Sequence, residues 1–208
     1  MPPYPSGRRR RQSERSMDVP RLVAQLLYLF APLLFSMALG GIVLRFELLQ
    51  PLRRPIDAGR SLAGRRIFGD SKTWRGAFVA LIACVIAVAI QKYLVGARAA
   101  GIALVDYAHV QVLPFGTAMG VGASLGELPN SFVKRRLGIA PGKTAHGPLA
   151  LIFYVWDQVD ALTIIWPLLS YWLRPTLLVV LSSLVLALLL HPILSLLGYA
   201  IGARKTAR

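Results

Sequence analysis

Cysteine occurs once in the 208 residues, as Cys84 inside an apolar run, so the chain can form no internal disulfide and no cysteine metal site. Acidic residues are scarce as well: nine Asp+Glu stand against 24 Lys+Arg, for a formal net charge of +15. The G-x-x-x-x-G-K-[ST] spacing of a phosphate loop is missing. "PGKTAHG" at 141–147 resembles it only superficially, so a P-loop is rejected. No internal repeat stands out, and therefore no inverted pair of the kind secondary transporters use. The first apolar run is too long for the h-region of a cleaved leader, and no A-x-A site follows it.

What the chain has in quantity is apolar sequence. Hydrophobic residues make up 55% of it and mean hydropathy is +0.56, beyond the range of an ordinary soluble domain. The cations lie in short segments beside the long apolar runs. That distribution excludes nucleic acid as the partner and suits anionic headgroups, the positive-inside rule or phosphate substrates.

Five runs are long enough to cross a bilayer: 22–44, 76–95, 110–126, 149–173 and 175–203. The first is uncharged. The second carries only Lys92 near its end, where it can snorkel. The third is the weakest, with Asp106 and His109 crowding its start, and Pro114 and four glycines within it. Its Gly and Ala suit close helix contacts. The expectation is an all-α integral membrane protein with one domain of about five transmembrane helices over 19–203. An Arg-rich, disordered tail (1–18) precedes it and a basic tail (204–208) follows.

The Lys/Arg balance sets an expected topology. Arg45, Arg53, Arg54, Arg60, Arg65, Arg66, Lys72 and Arg75 lie between the first two spans, and Lys134, Arg135, Arg136 and Lys143 follow the third. Arg204, Lys205 and Arg208 close the chain. This puts both long loops and the C-terminus in the cytoplasm and the N-terminus outside the cytoplasmic membrane. Arg8, Arg9, Arg10, Arg11, Arg15 and Arg21 pull the other way. A start at Met17 resolves the conflict; a first segment that re-enters around Pro32 is the alternative.

Asp157 and Asp160 are the sharpest chemical signal. At i and i+3 of a helix they share one face, and two acids at membrane depth need a cation to be ionised together. Mg²⁺ takes one or two carboxylates plus substrate phosphate oxygens, and cationic loops lie nearby to receive such phosphates. "GRRIFGDSKTWRG" (64–76) offers Gly69 and Gly76 for a tight turn or close approach, Lys72 and Arg75 as donors, and Asp70 as acceptor or ligand. Trp74 suits the headgroup level. "SFVKRRLG" (131–138) offers three consecutive cations for a triphosphate or a lipid phosphate, or for plain anchoring on a membrane surface. His146 is read as a capping or solvent-facing residue.

Three blocks in the same order resemble the CDP-archaeol synthase family of CTP:lipid-phosphate cytidylyltransferases, related to the phosphatidate cytidylyltransferases. They are "PIDAGRSLAGRRIFGDSKTWRG" (55–76), "GELPNSFVKRRLGIAPG" (126–142) and "WDQVDAL" (156–162). The resemblance implies five transmembrane helices, a site built from cytoplasmic loops, Mg²⁺ and CTP. It also implies transfer of CMP from CTP to a membrane lipid phosphate, with release of pyrophosphate. Asp157 and Asp160 would then hold Mg²⁺, and Lys134 and Arg135 would neutralise the triphosphate or the leaving group. Gly69, Asp70, Lys72, Thr73 and Arg75 would contact the nucleotide or the lipid phosphate, and Ser131 would donate a hydrogen bond near the phosphates. The chain departs from the family pattern at Glu127, where the pattern carries Asp. His146 is not carried over, and the residues before Met17 match nothing in it. Two other readings stay open: a small transporter with Asp157 and Asp160 as a cation or proton relay, and a non-catalytic membrane-anchoring protein.

Overall fold

The structure, a computed structural model, describes residues 18–95 and 103–200. The Arg-rich start, the Met17 start and the basic tail lie outside the described residues. Five long helices follow one another: α1 (Val19–Arg45), α2 (Trp74–Ile90), α3 (Val112–Arg136), α4 (Leu149–Leu169) and α5 (Leu177–Ala200). The 27 residues of α1 run unbroken through Pro32, about 40 Å of helix, with no break there for a re-entrant turn. Among the described residues four stretches are long and apolar enough to cross a membrane: Val19–Arg45, Trp74–Tyr93, Leu149–Leu169 and Leu177–Leu194.

α3 is the exception, and it corrects the sequence expectation. The third span does not stop at residue 126; the helix continues through Glu127 and Pro129 to Arg136. Ser131, Lys134 and Arg135, expected in a loop, therefore sit on its last turns. Three cations there complement the carbonyl end of the helix. Gly138, at φ +78°, closes it: the Gly138 N–H donates to the Arg135 carbonyl at 3.1 Å and the Ile139 N–H to the Lys134 carbonyl at 2.9 Å. This pair of bonds with a left-handed glycine is a Schellman ending.

Glycines let α3 pack at backbone distance between α2 and α4. A Cβ on Gly116 or Gly120 would stand 2.6 Å from the Cα of Val85 or Leu81 on α2, and one on Gly126 2.6 Å from the Cα of Ala161 on α4. Around this contact lies a core that includes Leu26, Leu29, Cys84, Val88, Phe115, Met119, Ile165 and Leu169. Tyr28, Tyr107, Phe115 and Trp172 meet edge to face in series. α5 packs on α4 and α1 and leaves Leu181, Val185, Leu189 and Leu196 exposed, the pattern of a lipid-facing helix.

A polar cap closes one end of the bundle. Residues 46–73 make a 3-10 turn (Gln50–Leu52) and a two-stranded hairpin, β1 (Ser61–Leu62) and β2 (Arg65–Arg66). Ala63 and Gly64 both have positive φ (49° and 73°), the mirror-image turn that two-residue hairpins favour. Asp57 organises the cap from beneath. Its carboxylate accepts from the N–H groups of Gly59, Phe68 and Gly69 at 3.0, 3.0 and 2.9 Å and from Arg66 at 2.7 Å. Burial alone would raise this carboxyl, but the Arg66 guanidinium and the three amides outweigh it and hold it well below the usual carboxylate range.

Candidate active site

The site lies where the polar cap meets α3 and α4. On α3, Glu127, Asn130 and Lys134 recur at helical spacing on one face; on α4, Asp157 and Asp160 answer them. The missing side chain of Gly126 brings the two faces together, with the Asp160 carbonyl oxygen 2.6 Å from where a Cβ would be. The Asn130 amide nitrogen donates to Asp157 Oδ1 at 2.6 Å and to Asp160 Oδ2 at 3.1 Å. Lys134 pairs with Asp157 and lies 5.5 Å over the Phe153 ring, itself stacked on Trp156. Asp160 is buried and its Oδ1 accepts from the Ala161 N–H at 2.7 Å.

The cap supplies the opposite wall. Lys72 forms an ion pair with Glu127 across the gap. Thr73 caps α2 by accepting from the Gly76 N–H at 3.3 Å. Arg136 donates to the carbonyls of Leu62, Arg65 and Arg66, and Arg65 donates back to the Arg136 carbonyl. α3 and the hairpin are thereby fastened together. Between cap and helices runs a cavity of about 360 Å³. Ser71, Lys72, Thr73, Glu127, Asp157 and Asp160 are among its polar lining residues, and Leu26, Phe30 and Leu34 of α1 with Leu186, Leu190 and Leu194 of α5 among its apolar ones.

Four of the expected catalytic and substrate-binding residues therefore face one cavity: Lys72, Thr73, Asp157 and Asp160. Lys134 adjoins it through Asp157. Arg135 is buried beside Gly69, where a Cβ would stand 3.3 Å from its Nη1 and 2.7 Å from Pro141 Cγ. Its Nε and Nη1 have no hydrogen-bond partner among the described residues. The remaining three lie elsewhere. Asp70 is exposed and paired with Arg66 at 2.7 Å. Arg75 is buried and donates to the Leu48 carbonyl at 3.2 Å, holding the 46–49 segment. Ser131 follows Asn130 on α3 and does not line the cavity.

The sequence reading passed over Asn130, Asp57 and the Glu127–Lys72 pair. The signal for Asn130 was its place four residues before Lys134, on the same helical face.

The donor set suits a hard divalent cation. No group of three or more His, Cys, Asp or Glu close enough to hold a metal exists among the described residues. Mg²⁺, however, commonly takes one or two carboxylates and completes its shell with water and substrate phosphate. Asp157 and Asp160 are two carboxylates on one helical face, and the buried Asn130 Oδ1 beside them has no partner among the described residues.

Comparison with known proteins follows the same line. The CarS-like family, described as CDP-archaeol synthase, matches residues 45–206. The CDP-archaeol synthase of Halorubrum lacusprofundi is 36% identical over 157 residues, covering 73% of this chain and 82% of that protein. That of Methanoculleus marisnigri is 32% identical over 158 residues, covering 73% and 87%. A solved structure of an intramembrane enzyme for archaeal membrane lipid biosynthesis superposes with a TM-score of 0.52 at 26% identity, over 79% of this chain and 89% of that one.

Proposed function

The chain belongs to the CDP-archaeol synthase family, and from that premise we propose how its site works. The protein is an integral membrane cytidylyltransferase that transfers CMP from CTP to a membrane lipid phosphate of the archaetidate kind. An anionic oxygen of the lipid phosphate attacks the α-phosphorus of CTP. The new P–O bond forms as the bond to the β-phosphate bridging oxygen breaks, and pyrophosphate leaves with the electron pair. The nucleophile is already ionised, so no strong base is needed. The work is to bring two anions together and stabilise charge on the departing group, which is positioning and electrostatics.

The observation that carries this reading is one cavity lined both by carboxylates and a lysine and by leucines of α1 and α5. A lipid can leave its chains among the leucines while its phosphate reaches Lys72 and the carboxylates. Lys72 and Lys134, each now paired with a carboxylate, are the cations that turn to incoming phosphates. Arg135 offers two unpartnered N–H groups to the triphosphate. Asp157 and Asp160 would hold Mg²⁺, which would offset the negative charge of the nucleotide phosphates. Arg136, Arg65 and Asp57 keep the cap docked. Gly69 admits Arg135 and Pro141 at close range, and Asp70 and Arg75 act through the cap. We assign the cap to the cytoplasmic face, supported by the Lys/Arg asymmetry and by the supply of CTP there.

The test is thermal. CTP with Mg²⁺ should raise the melting temperature of the purified protein in detergent, as ligand binding to the native state requires. A cation relay or a membrane anchor would show no such nucleotide-dependent shift.

A further inference from the structure

Asn130 is 2% exposed and lies between the two carboxylates of α4. Both protons of its amide nitrogen are used, one on Asp157 Oδ1 at 2.6 Å and one on Asp160 Oδ2 at 3.1 Å. The opposite amide orientation would set its oxygen against two carboxylate oxygens, so the contacts themselves fix which way the group points. We propose that Asn130 is a neutral clamp: a positioning residue that holds Asp157 and Asp160 at one spacing and orientation, ready for a divalent cation.

The chemistry of the alternatives supports a neutral donor at this place. Two carboxylates on one helical face repel, and each disfavours the ionised form of the other. A lysine or arginine at 130 would hold them, but Asp157 already pairs with Lys134. A second cation would cancel the charge that attracts a metal ion. Alanine or leucine would leave the acids unheld, and serine has one proton to donate where two acceptors wait. The asparagine amide restrains both without adding charge. Asp160 is then fixed at both oxygens, by Asn130 and by the Ala161 N–H. The hydrogen bonds from Asn130 and Lys134 both fall on Asp157 Oδ1, and the buried Asn130 Oδ1 has no partner among the described residues. The clamp thus leaves the Asn130 oxygen uncommitted beside the pair.

This inference rests on the reading of Asp157 and Asp160 as metal-holding residues, and the experiment separates the two. Full-length protein in detergent is titrated with Mn²⁺ alone, and free Mn²⁺ is read by electron paramagnetic resonance. Wild type should bind the ion, and Asn130→Ala and Asn130→Ser should weaken it about tenfold. The metal concentration for half-maximal turnover should rise by the same factor, while KM for CTP at saturating metal stays near wild type. If the alanine variant fails to fold, the serine variant, which keeps one donor, carries the test. Unchanged Mn²⁺ affinity in a folded variant overturns the clamp and leaves the metal reading standing. Absence of Mn²⁺ binding in wild type overturns the metal reading and the clamp with it.

Discussion

Gly126 on α3 and Ala161 on α4 meet at backbone distance: a Cβ on the glycine would stand 2.6 Å from the alanine Cα. The neighbouring residues are Glu127 on one side and Asp160 on the other. The contact therefore sets the separation between the two helix faces that form the site. Gly126→Ala forces that backbone apart and should cost about 1–3 kcal/mol of stability. Turnover should fall further than the lost stability explains, because Asn130 would no longer reach both carboxylates. Melting temperature and turnover of the purified variant check this; full activity would mean that the spacing is not critical.

Asp157→Asn and Asp160→Asn should each abolish metal-dependent turnover while the protein still inserts into the membrane. Each change keeps the shape and removes the charge that a cation needs. Membrane fractionation and a turnover assay run on the same preparation separate insertion from activity. Near-normal turnover in either variant removes that residue from the metal site.

Two adjacent arginines should behave differently. Arg136 spends its guanidinium on three hairpin carbonyls, whereas Arg135 keeps two buried N–H groups without a partner among the described residues. Arg136→Ala should release the cap, seen as faster protease cleavage between residues 46 and 73. Arg135→Ala should leave cleavage unchanged and raise KM for CTP about tenfold or more, the scale of a lost buried charge-assisted hydrogen bond. Reversed results would exchange their roles.

The helices were legible in the sequence because long apolar runs admit few alternatives. The carboxylate pair was legible because acids are expensive at that depth. The end of α3 was misread for a physical reason. Charge and a proline look like a loop when read by hydropathy, yet Lys134, Arg135 and Arg136 are favourable at a helix C-terminus, and Gly138 is its stop. Asn130 was missed because its spacing to Lys134 is a signal only once residues 126–136 are read as helix rather than loop. Its partners lie 27 and 30 residues away and meet it only through the Gly126 contact. Arg75 looked like a phosphate donor from its neighbours, and only the folded cap shows it bonded to Leu48.

Asp57 gives the cap a defined pH response. Its folded carboxyl lies below the ordinary value of 3.8, so its stabilising contribution is complete above that value and is lost as pH falls below it. Asp57→Asn should therefore lower the melting temperature throughout pH 5–8 by a constant amount. The gap to wild type should narrow on acidification below about pH 4, where the Asp57 carboxyl of the unfolded wild-type chain begins to take up a proton while the folded one stays ionised. A gap that persists unchanged into strong acid would show that the charge of Asp57 is not what holds the cap.

The central claim is the reaction itself, and product formation tests it most directly. Purified protein is incubated with CTP radiolabelled at the α-phosphate, Mg²⁺ and, in separate reactions, an archaetidate-type ether lipid phosphate or phosphatidate. The account expects label in a lipid-extractable CDP-product with the ether lipid phosphate, pyrophosphate released in equal amount, and neither product from Asp157→Asn. Folded wild-type protein that releases no pyrophosphate and labels no lipid with either acceptor would contradict it.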